Sequence, residues 1–295
     1  MKLYKYNLDK SSKKFVCPKC NKRTFVKYIE TETGNYLNDE FGRCDRETSC
    51  SYHSTVKGET NNSFEVKYIA PSEPSFHNLE LVDKSMNDYL NNNFIQFLKT
   101  IFTNEEVKKV TNKYLLGTSK FWNGATVFWQ IDDKELVHAG KVLHYVSDTG
   151  KRYKTKEGKG LINWVHSILK LKDFTLHQSL FGLHLINETN QKTVAIVESE
   201  KTAVIMSVFK PEYVWLSTGG KGFLKYNMLL PIKQFKIVAF PDKGEYKDWL
   251  NKAVELNKFG FKIDVNDWLE NSRYENGIDL ADVYIDSLNF ESEVD

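Results

Sequence analysis

Short apolar segments alternate with segments of helical character in the last third of the chain, and this alternation restricts the fold more than any other feature. Four of the apolar segments read as strands: TVAIVE, YVWLST, KIVAFPD and FKIDVND. Helical segments separate them, as in KTAVIMSVF after the first strand and DWLNKAVELNKFG after the third. Strands that are apolar throughout are buried on both faces, so the pattern predicts an α/β fold with a parallel sheet flanked by helices.

Acidic residues stand where these strands end. Glu198 ends the first strand and Asp242 ends the third. Because reactive groups of open parallel sheets gather at the carboxyl ends of the strands, we expect the two carboxylates to approach each other. Asp279 and Asp282 are three positions apart on a predicted helix, so they face the same way. Such a group of carboxylates suits Mg²⁺ or Mn²⁺ and phosphoryl or nucleotidyl transfer.

Simpler structural roles are open for two of these acids. Asp279 could cap its helix, as aspartate often does at a helix start. Glu198 could pair with Lys201 on the following helical turn, which is a common surface arrangement. From the sequence alone, both these structural roles and the metal-binding roles are open.

A glycine-rich loop, STGGKG, follows the second strand at residues 217–222. Its glycines permit close approach of the backbone to a ligand, and Lys221 adds a charge that suits a phosphate. The loop lies next in order to the strand that ends at Glu198, so it is a candidate for nucleotide binding.

All four cysteines fall in one short stretch near the amino terminus. In a reducing compartment such clustering favours a metal site over disulfides. Cys17 and Cys20 form a Cys-x2-Cys pair, and Cys44 and Cys50 form a second, wider pair. Together they provide the four soft ligands of a tetrahedral, structural Zn²⁺. His53, which follows Cys50 with Cys-x2-His spacing, is the alternative fourth ligand.

Basic residues dominate the segment around the first cysteines. Residues 1–27 hold nine Lys or Arg and a single acid. Lys13, Lys14 and Lys22 can neutralise phosphates, so we expect a nucleic acid as the partner of this module. The interleaved aromatic rings suit either stacking on unpaired bases or packing in the core of the module.

The chain divides into three predicted domains. Residues 1–66 form a zinc-ribbon module that binds nucleic acid, residues 80–190 a mixed α+β middle domain, and residues 191–295 the domain with the parallel sheet. No apolar run reaches the roughly 18 residues of a membrane helix, and no secretory signal is present. We therefore expect a cytoplasmic protein with no membrane partner.

The middle domain is expected to begin with two helices. Ser85 is predicted to cap the first helix, and Thr103 with Glu106 forms a capping-box pattern for the second. Two strands should follow, ATVFWQI and KVLHYV, joined by a turn at Asp132 and Asp133. A short helix is predicted near INWVHSILK.

Several segments resemble the Toprim domain and the DnaG-type primases that contain it. VAIVESEKTAVIMSV resembles the first Toprim motif, KIVAFPDKGEYKDW the second, and GIDLADVYI the late Asp-bearing motif of the primases. CPKC and GRCDRETSCSYH resemble the amino-terminal zinc ribbon of the same primases. The stretch from Trp122 to Lys154 is similar to a domain of uncharacterised Toprim proteins in Bacteroidetes-type mobile elements.

The resemblance implies a Mg²⁺-dependent centre for nucleotidyl transfer. Glu198 would act as metal ligand or general base, Asp242 would hold the metal, and Asp279 or Asp282 would complete the set. The residues implied to hold template or nucleotide phosphates are Lys141, Lys151, Arg152 and Lys154. The implied function is primase-like synthesis on single-stranded DNA, with nucleotides and a helicase or other replication protein as partners.

The second motif departs from the Toprim pattern. Toprim proteins usually present Asp-x-Asp there, whereas in this chain Gly244 stands where the second Asp should be. Glu245 or Asp248 could replace it only along a different backbone path. One carboxylate fewer weakens a two-metal site, so a Toprim metal-dependent nuclease and a non-catalytic, zinc-dependent DNA-binding protein are the alternative functions.

Overall fold

The structure is a computed structural model that describes residues 5–11, 13–31, 33–46, 49–55, 73–187 and 189–292. It divides into two units, Met1–Pro71 and Ser72–Asp295. The first unit contains the predicted zinc module, and the second contains the predicted middle and last domains. None of the helices in the described ranges is long and apolar enough to cross a lipid bilayer.

Four short antiparallel strands build the first unit. They pair in chain order as β1 Tyr6–Leu8, β2 Phe25–Glu30, β3 Gly42–Cys44 and β4 His53–Ser54. The buried core consists of three cysteines, Cys17, Cys44 and Cys50, and the ring of Phe25. Phe25 therefore belongs to the core, and a core this small depends on a metal for its stability.

Three helices open the second unit: α1 Leu79–Ser85, α2 Asn93–Ile101 and α3 Asn104–Lys113. The predicted capping box of α3 is confirmed. The backbone N–H of Glu106 donates to the Thr103 hydroxyl, and the backbone N–H of Thr103 donates to the Glu106 carboxylate. Two backbone donors at the start of α3 are thereby satisfied without solvent.

The prediction that Ser85 starts a helix is wrong. Ser85 ends α1, where its hydroxyl donates to the carbonyl oxygen of Val82 and accepts from the indole N–H of Trp129. The next helix begins instead behind Asn92, whose side chain accepts from the backbone N–H of Ile95. Asn92 is fully buried, so its position as a cap is fixed by tertiary packing that local sequence does not reveal.

An antiparallel sheet follows these helices. Its strands pair in chain order as β5 Gly117–Ser119, β6 Ala125–Ile131, β7 Val137–Leu143 and β8 Ile162–Trp164. The predicted hairpin at Asp132 and Asp133 is therefore confirmed. The helix predicted near INWVHSILK is shorter than expected, because its first three residues form β8 and only Val165–Ile168 form α4.

A second, parallel sheet forms the last part of the unit, as predicted. Its strands are β9 Thr193–Val197, β10 Val214–Ser217, β11 Lys236–Ala239 and β12 Ile263–Val265, in the order β10-β9-β11-β12. The associated helices are α5 Glu200–Phe209, α6 Tyr226–Leu229, α7 Tyr246–Asn257 and α8 Leu280–Ser292. The direction of progression reverses between β9 and β11, and ligands of such sheets bind at this reversal, beyond the carboxyl ends of the strands.

The two sheets of this unit share one hydrophobic core. Phe128 and Leu143 of the antiparallel sheet belong to the same buried cluster as Ile196 of β9. The buried hydroxyl of Tyr114 donates to the carbonyl oxygen of Trp215 in β10, at 2.8 Å. The shared core packs the two sheets against each other. The predicted domain boundary near residue 190 stays a prediction.

Candidate metal centres and nucleic-acid surface

The four cysteines of the first unit form one cluster. Their Sγ atoms all lie within 4.8 Å of one another, with 3.8 Å between Cys17 and Cys50 and 4.0 Å between Cys20 and Cys44. A tetrahedral ion with Zn–S bonds of about 2.3 Å separates its sulfurs by about 3.8 Å, so the cluster fits Zn²⁺. His53 lies outside the cluster, because its Nε2 is hydrogen-bonded to the Tyr28 hydroxyl at 3.0 Å.

Neighbouring groups prepare two of the thiols to bind a cation. A hydrogen bond from the backbone of Lys22 lowers the pKa of Cys20 to about 6, and the hydroxyl of Thr24 lowers the pKa of Cys44. Thiolates rather than thiols are the zinc ligands, so a lowered pKa favours binding at neutral pH. The four-cysteine set thus has the geometry and the chemistry of a structural zinc site.

The predicted acids of the second unit lie at the carboxyl end of the parallel sheet. Glu198 directly follows β9, and Asp242 follows β11 after two further residues. Asp279 stands immediately before α8, and its Oδ1 accepts from the backbone N–H of Asp282 at 3.0 Å. The capping role considered for Asp279 is therefore present, while its second oxygen, Oδ2, accepts from the Thr202 hydroxyl at 2.8 Å.

The charges of these acids act on one another. Burial and, after it, the neighbouring charges of Asp279, Glu198 and Asp282 together raise the pKa of Asp242 to about 8. Burial also raises the pKa of Glu198. Because Coulomb interactions weaken with distance, the other three carboxylates lie near enough to Asp242 for their charges to act on it. Among the described residues, however, the cysteine set is the one group of three or more such residues close enough to hold a metal ion as it stands, so the acids are grouped less tightly.

A lysine side chain lies inside this group of acids. The Nζ of Lys201 is 2.8 Å from Asp282 Oδ1 and 3.4 Å from Asp279 Oδ2, and the side chain is 13% exposed. The pairing with Glu198 considered from sequence is not formed, because Lys201 makes its ion pairs with Asp279 and Asp282. Although burial opposes the charged form, the carboxylates of Asp279 and Asp282 raise the pKa of Lys201, so it remains an ammonium.

Lys141 belongs to a second, buried ion pair. Its Nζ lies 2.8 Å from Glu200 Oε1 and also donates to the carbonyl oxygen of Gly219 at 2.8 Å. The pair connects β7 of the antiparallel sheet to the first turn of α5 and to the glycine-rich loop. Lys141 is therefore engaged within the protein, and its implied role in phosphate binding stays a prediction.

The glycine-rich loop approaches both sheets. Gly219 has a φ of +75°, and a Cβ there would lie 3.1 Å from Glu200 Oε1, so glycine is required. The backbone of Lys221 forms a hydrogen bond with Glu198, and its exposed Nζ lies 3.0 Å from Glu245 Oε1. The loop thus supports Glu198 through the backbone and leaves Lys221 at the surface beside the acids.

The departure at Gly244 is part of the local backbone conformation. Gly244 has a φ of +93°, and a Cβ would lie 3.3 Å from the side chain of Asn276. Its N–H donates to Glu270 Oε2 at 2.8 Å. The preceding Lys243 donates its Nζ to three carbonyl oxygens of the loop after β12, those of Leu269, Glu270 and Ser272. A side chain at position 244 would strain this arrangement, so the local backbone favours glycine there.

The basic segment between β7 and β8 carries the other implied phosphate ligands. Lys151 and Lys154 are exposed, and Arg152 is half-buried with its guanidinium 6.0 Å from the ring centre of Tyr145. Burial raises the pKa of Tyr145, and its hydroxyl also responds to the charges of Glu200, Arg152 and Asp279. Tyr145 thus contacts Arg152 of the basic segment and lies close enough to the acidic centre to feel the charge of Asp279.

Sequence reasoning missed three residues that build this centre. Lys201 within the acids, Glu200 as the partner of Lys141, and Tyr145 beneath the basic segment were not singled out for these roles. Glu200 could have been found, because a helix that is apolar around most of its circumference has few places for an unpaired acid. The other two contacts depend on long-range packing.

Comparisons with known proteins give two matches to family models. The model described as a domain of unknown function, DUF6371, matches residues 92–243, which are more than half of the chain. A model described as a putative zinc beta-ribbon finger matches residues 4–65. The second match agrees with the sheet and the cysteine cluster of the first unit. No curated protein matches the chain.

Solved structures similar to this chain include primases. The primase fragment of the bacteriophage T7 primase-helicase protein is 15% identical over 95% of this chain and 97% of that one, with a TM-score of 0.45. The zinc-binding and RNA polymerase domains of the Aquifex aeolicus primase are 13% identical over 97% and 79%, with a TM-score of 0.40. The DnaG catalytic core is 12% identical over 73% and 78%, with a TM-score of 0.42.

Proposed function

This chain belongs to the DUF6371 family, and we propose that it is a primase-like protein that joins nucleotides on a single-stranded DNA template with Mg²⁺ or Mn²⁺. The observation that carries the proposal is the position of Asp242. It follows β11 at the reversal point of a parallel sheet, and three further carboxylates, those of Glu198, Asp279 and Asp282, raise its pKa. The sequence motifs at these positions resemble those of Toprim primases.

The donor set fits a hard divalent cation. Carboxylate oxygens are the ligands that Mg²⁺ prefers, and Mg²⁺ keeps several waters, which the wide spacing of these acids accommodates. The pKa of Asp242 is raised by burial and by neighbouring carboxylates, so the charged form of this group is not fully compensated without a metal. When bound, the ion supplies charge that stabilises phosphate oxygens and orients the attacking hydroxyl.

The surrounding residues suit the handling of a nucleotide. Glu198, with its raised pKa, can accept a proton from a 3′-hydroxyl. Exposed Lys221 at the edge of the centre can contact the phosphates of the incoming nucleotide. Lys151 and Lys154 are exposed beside the half-buried Arg152, and they are suited to the template backbone.

The zinc module adds a second surface for single-stranded nucleic acid. The Nζ of Lys13 lies 5.2 Å from the ring centre of Phe15 and 5.0 Å from that of Tyr36. Tyr36 is exposed, and rings of this kind can stack on unpaired bases beside a phosphate-binding lysine. Lys14 is instead paired with Asp45 at 2.8 Å. A helicase or another replication protein is the further partner that we expect.

Incorporation of labelled ribonucleotides by the zinc-loaded full chain tests this proposal, with single-stranded DNA as template and Mg²⁺ or Mn²⁺ present. Wild type should form short RNA products. Glu198→Gln should reduce synthesis at least 100-fold, roughly what loss of a general base costs, and should leave DNA binding intact. Glu255→Gln, an exposed change on α7, is the matched control.

Each other result contradicts the proposal in a recognisable way. Cleavage of the template without incorporation would assign the centre to a nuclease. Binding of DNA with neither reaction would identify a non-catalytic binding protein. Full synthesis by Glu198→Gln would remove Glu198 from the reaction.

A further inference from the structure

The acidic centre holds a cationic side chain of its own. The ammonium of Lys201 lies 2.8 Å from Asp282 and 3.4 Å from Asp279. Its side chain is mostly buried, and it projects from the first turn of α5, directly after the strand that ends at Glu198. An ammonium held by two carboxylates in this way occupies space and satisfies charge that a metal ion would otherwise take.

The same centre lacks the second acid of the motif that its sequence resembles. Gly244 stands where a second carboxylate of the Asp-x-Asp pattern would be, and its φ of +93° together with the nearby Asn276 disfavours any side chain. A two-metal centre needs carboxylates that bridge or divide between two ions. The absence of this carboxylate and the presence of the Lys201 ammonium both reduce the capacity of the centre to bind a second divalent cation.

The remaining negative charge is concentrated at two residues. Lys201 contacts Asp279 and Asp282, whereas Glu198 and Asp242 have no ion pair of 4.0 Å or less among the described residues. Lys141, the other buried lysine of this region, is paired with Glu200 and forms no ion pair with Glu198 or Asp242. Glu198 and Asp242 are therefore the two acids of the centre whose charge is not matched by an ion pair.

We propose that the Lys201 ammonium takes the place of one divalent cation, so that the centre binds a single metal ion, held by Glu198 and Asp242. This inference rests on the proposed function of the centre as a metal-dependent one. It changes the chemistry expected there. Asp279 and Asp282 then position Lys201 and the start of α8, and the phosphates that a second ion would neutralise face a fixed protein charge.

The number of Mn²⁺ ions bound per chain tests the inference. Zinc-loaded full chain is titrated with Mn²⁺ and followed by isothermal calorimetry and by electron paramagnetic resonance of the free ion. Wild type should bind one Mn²⁺. Lys201→Met should bind two, because Asp279 and Asp282 are released to a second ion. Lys201→Arg, which keeps the charge, should again bind one.

A control lysine separates the effect of location from the effect of net charge. Lys210 follows the same helix at its carboxyl end, so Lys210→Met removes one positive charge outside the centre. It should bind one Mn²⁺, as wild type does. Circular dichroism and thermal unfolding establish that each variant is folded before titration.

Two outcomes overturn the inference: two Mn²⁺ ions in wild type, or a single ion in folded Lys201→Met. The wild-type count decides the matter even if Lys201→Met does not fold. Ribonucleotide incorporation separates this result from the proposed function. If wild type binds two ions and synthesises RNA, the inference is rejected and the proposed function stands. If it binds one ion and synthesises no RNA, the inference stands and the proposed function is rejected. Absence of Mn²⁺ binding rejects both.

Discussion

Asp242 is a half-buried carboxyl group whose pKa responds to three other carboxylates. Its pKa is raised to about 8 from an ordinary value of 3.8 by burial and by the charges of Asp279, Glu198 and Asp282. Between these two pH values the folded protein binds a proton that the unfolded chain has released. The free energy of unfolding of the metal-free protein therefore falls as pH rises through this window, and the contribution is fully lost above pH 8.

Asp242→Asn should stabilise the metal-free second unit, most strongly above pH 8. Removal of the charge should raise the free energy of unfolding by ~1–3 kcal/mol at pH 9 and by much less at pH 5, where the wild-type group is mostly protonated. Urea denaturation at the two pH values measures the difference. Asp248→Asn, at an exposed site on α7, should show no such pH dependence.

Parallel pH curves for wild type and Asp242→Asn would show that Asp242 titrates normally. The raised pKa also predicts that Mn²⁺ binding releases a proton near pH 7 in wild type. Calorimetry in two buffers of different ionisation enthalpy detects that proton.

The hairpin of β6 and β7 is joined to the glycine-rich loop by the buried pair of Lys141 and Glu200, which are 59 residues apart in the chain. A buried pair adds little net stability when compared with apolar residues of the same size, but loss of one partner leaves the other charge without compensation. The pair therefore fixes how these elements are placed rather than how strongly they are held.

Lys141→Met should lower the free energy of unfolding of the second unit by ~3–5 kcal/mol, because Glu200 is left buried and unpaired. The double variant Lys141→Met with Glu200→Gln should recover much of that loss. Urea denaturation of zinc-loaded protein measures both. Lys84→Met, which removes an exposed pair with Glu80, should change stability by less than ~1 kcal/mol. Equal losses in the single and double variants would contradict the argument.

The sequence predicted those elements whose patterns are local. The apolar strands before Glu198 and Asp242, the hairpin at Asp132 and the capping box of Thr103 depend on neighbouring residues, and all are present. The helix start at Ser85 was predicted wrongly, because the cap that forms is the fully buried Asn92. A buried cap of this kind is determined by contacts with residues far away in the chain. The alternation and periodicity of apolar residues carry no information about such contacts.

The candidate site was predictable to a similar extent. The order of strands implies that Glu198 and Asp242 meet at one edge of the sheet. Cysteine spacing implies the ligands of zinc, although the choice between Cys50 and His53 required coordinates. The contacts of Lys201 with Asp279 and Asp282 join residues about 80 positions apart, so no local pattern reports them.

At the scale of the whole molecule, the chain consists of two units with separate cores. The first is held by Phe25 and the cysteine cluster, and the second by a large cluster that spans both of its sheets. Stability of the two parts therefore depends on different chemistry. The free energy of metal binding supports the first unit, whereas apolar burial supports the second.

Cys17→Ser should lower the zinc content of the full chain and unfold the first unit alone. Hydrogen exchange should become fast across β2 and β3, while the thermal midpoint of the second unit shifts by less than about 2 °C, since its core is untouched. Elemental analysis and exchange measured by mass spectrometry provide the two readouts. Unchanged zinc content would exclude Cys17 as a ligand.

The left-handed turn at Gly244 makes this position sensitive to substitution. An aspartate there would meet both an unfavourable φ and the side chain of Asn276, so the backbone or Asn276 would have to move to admit it. An engineered carboxylate at this turn therefore calls for a companion change in the loop that carries Asn276.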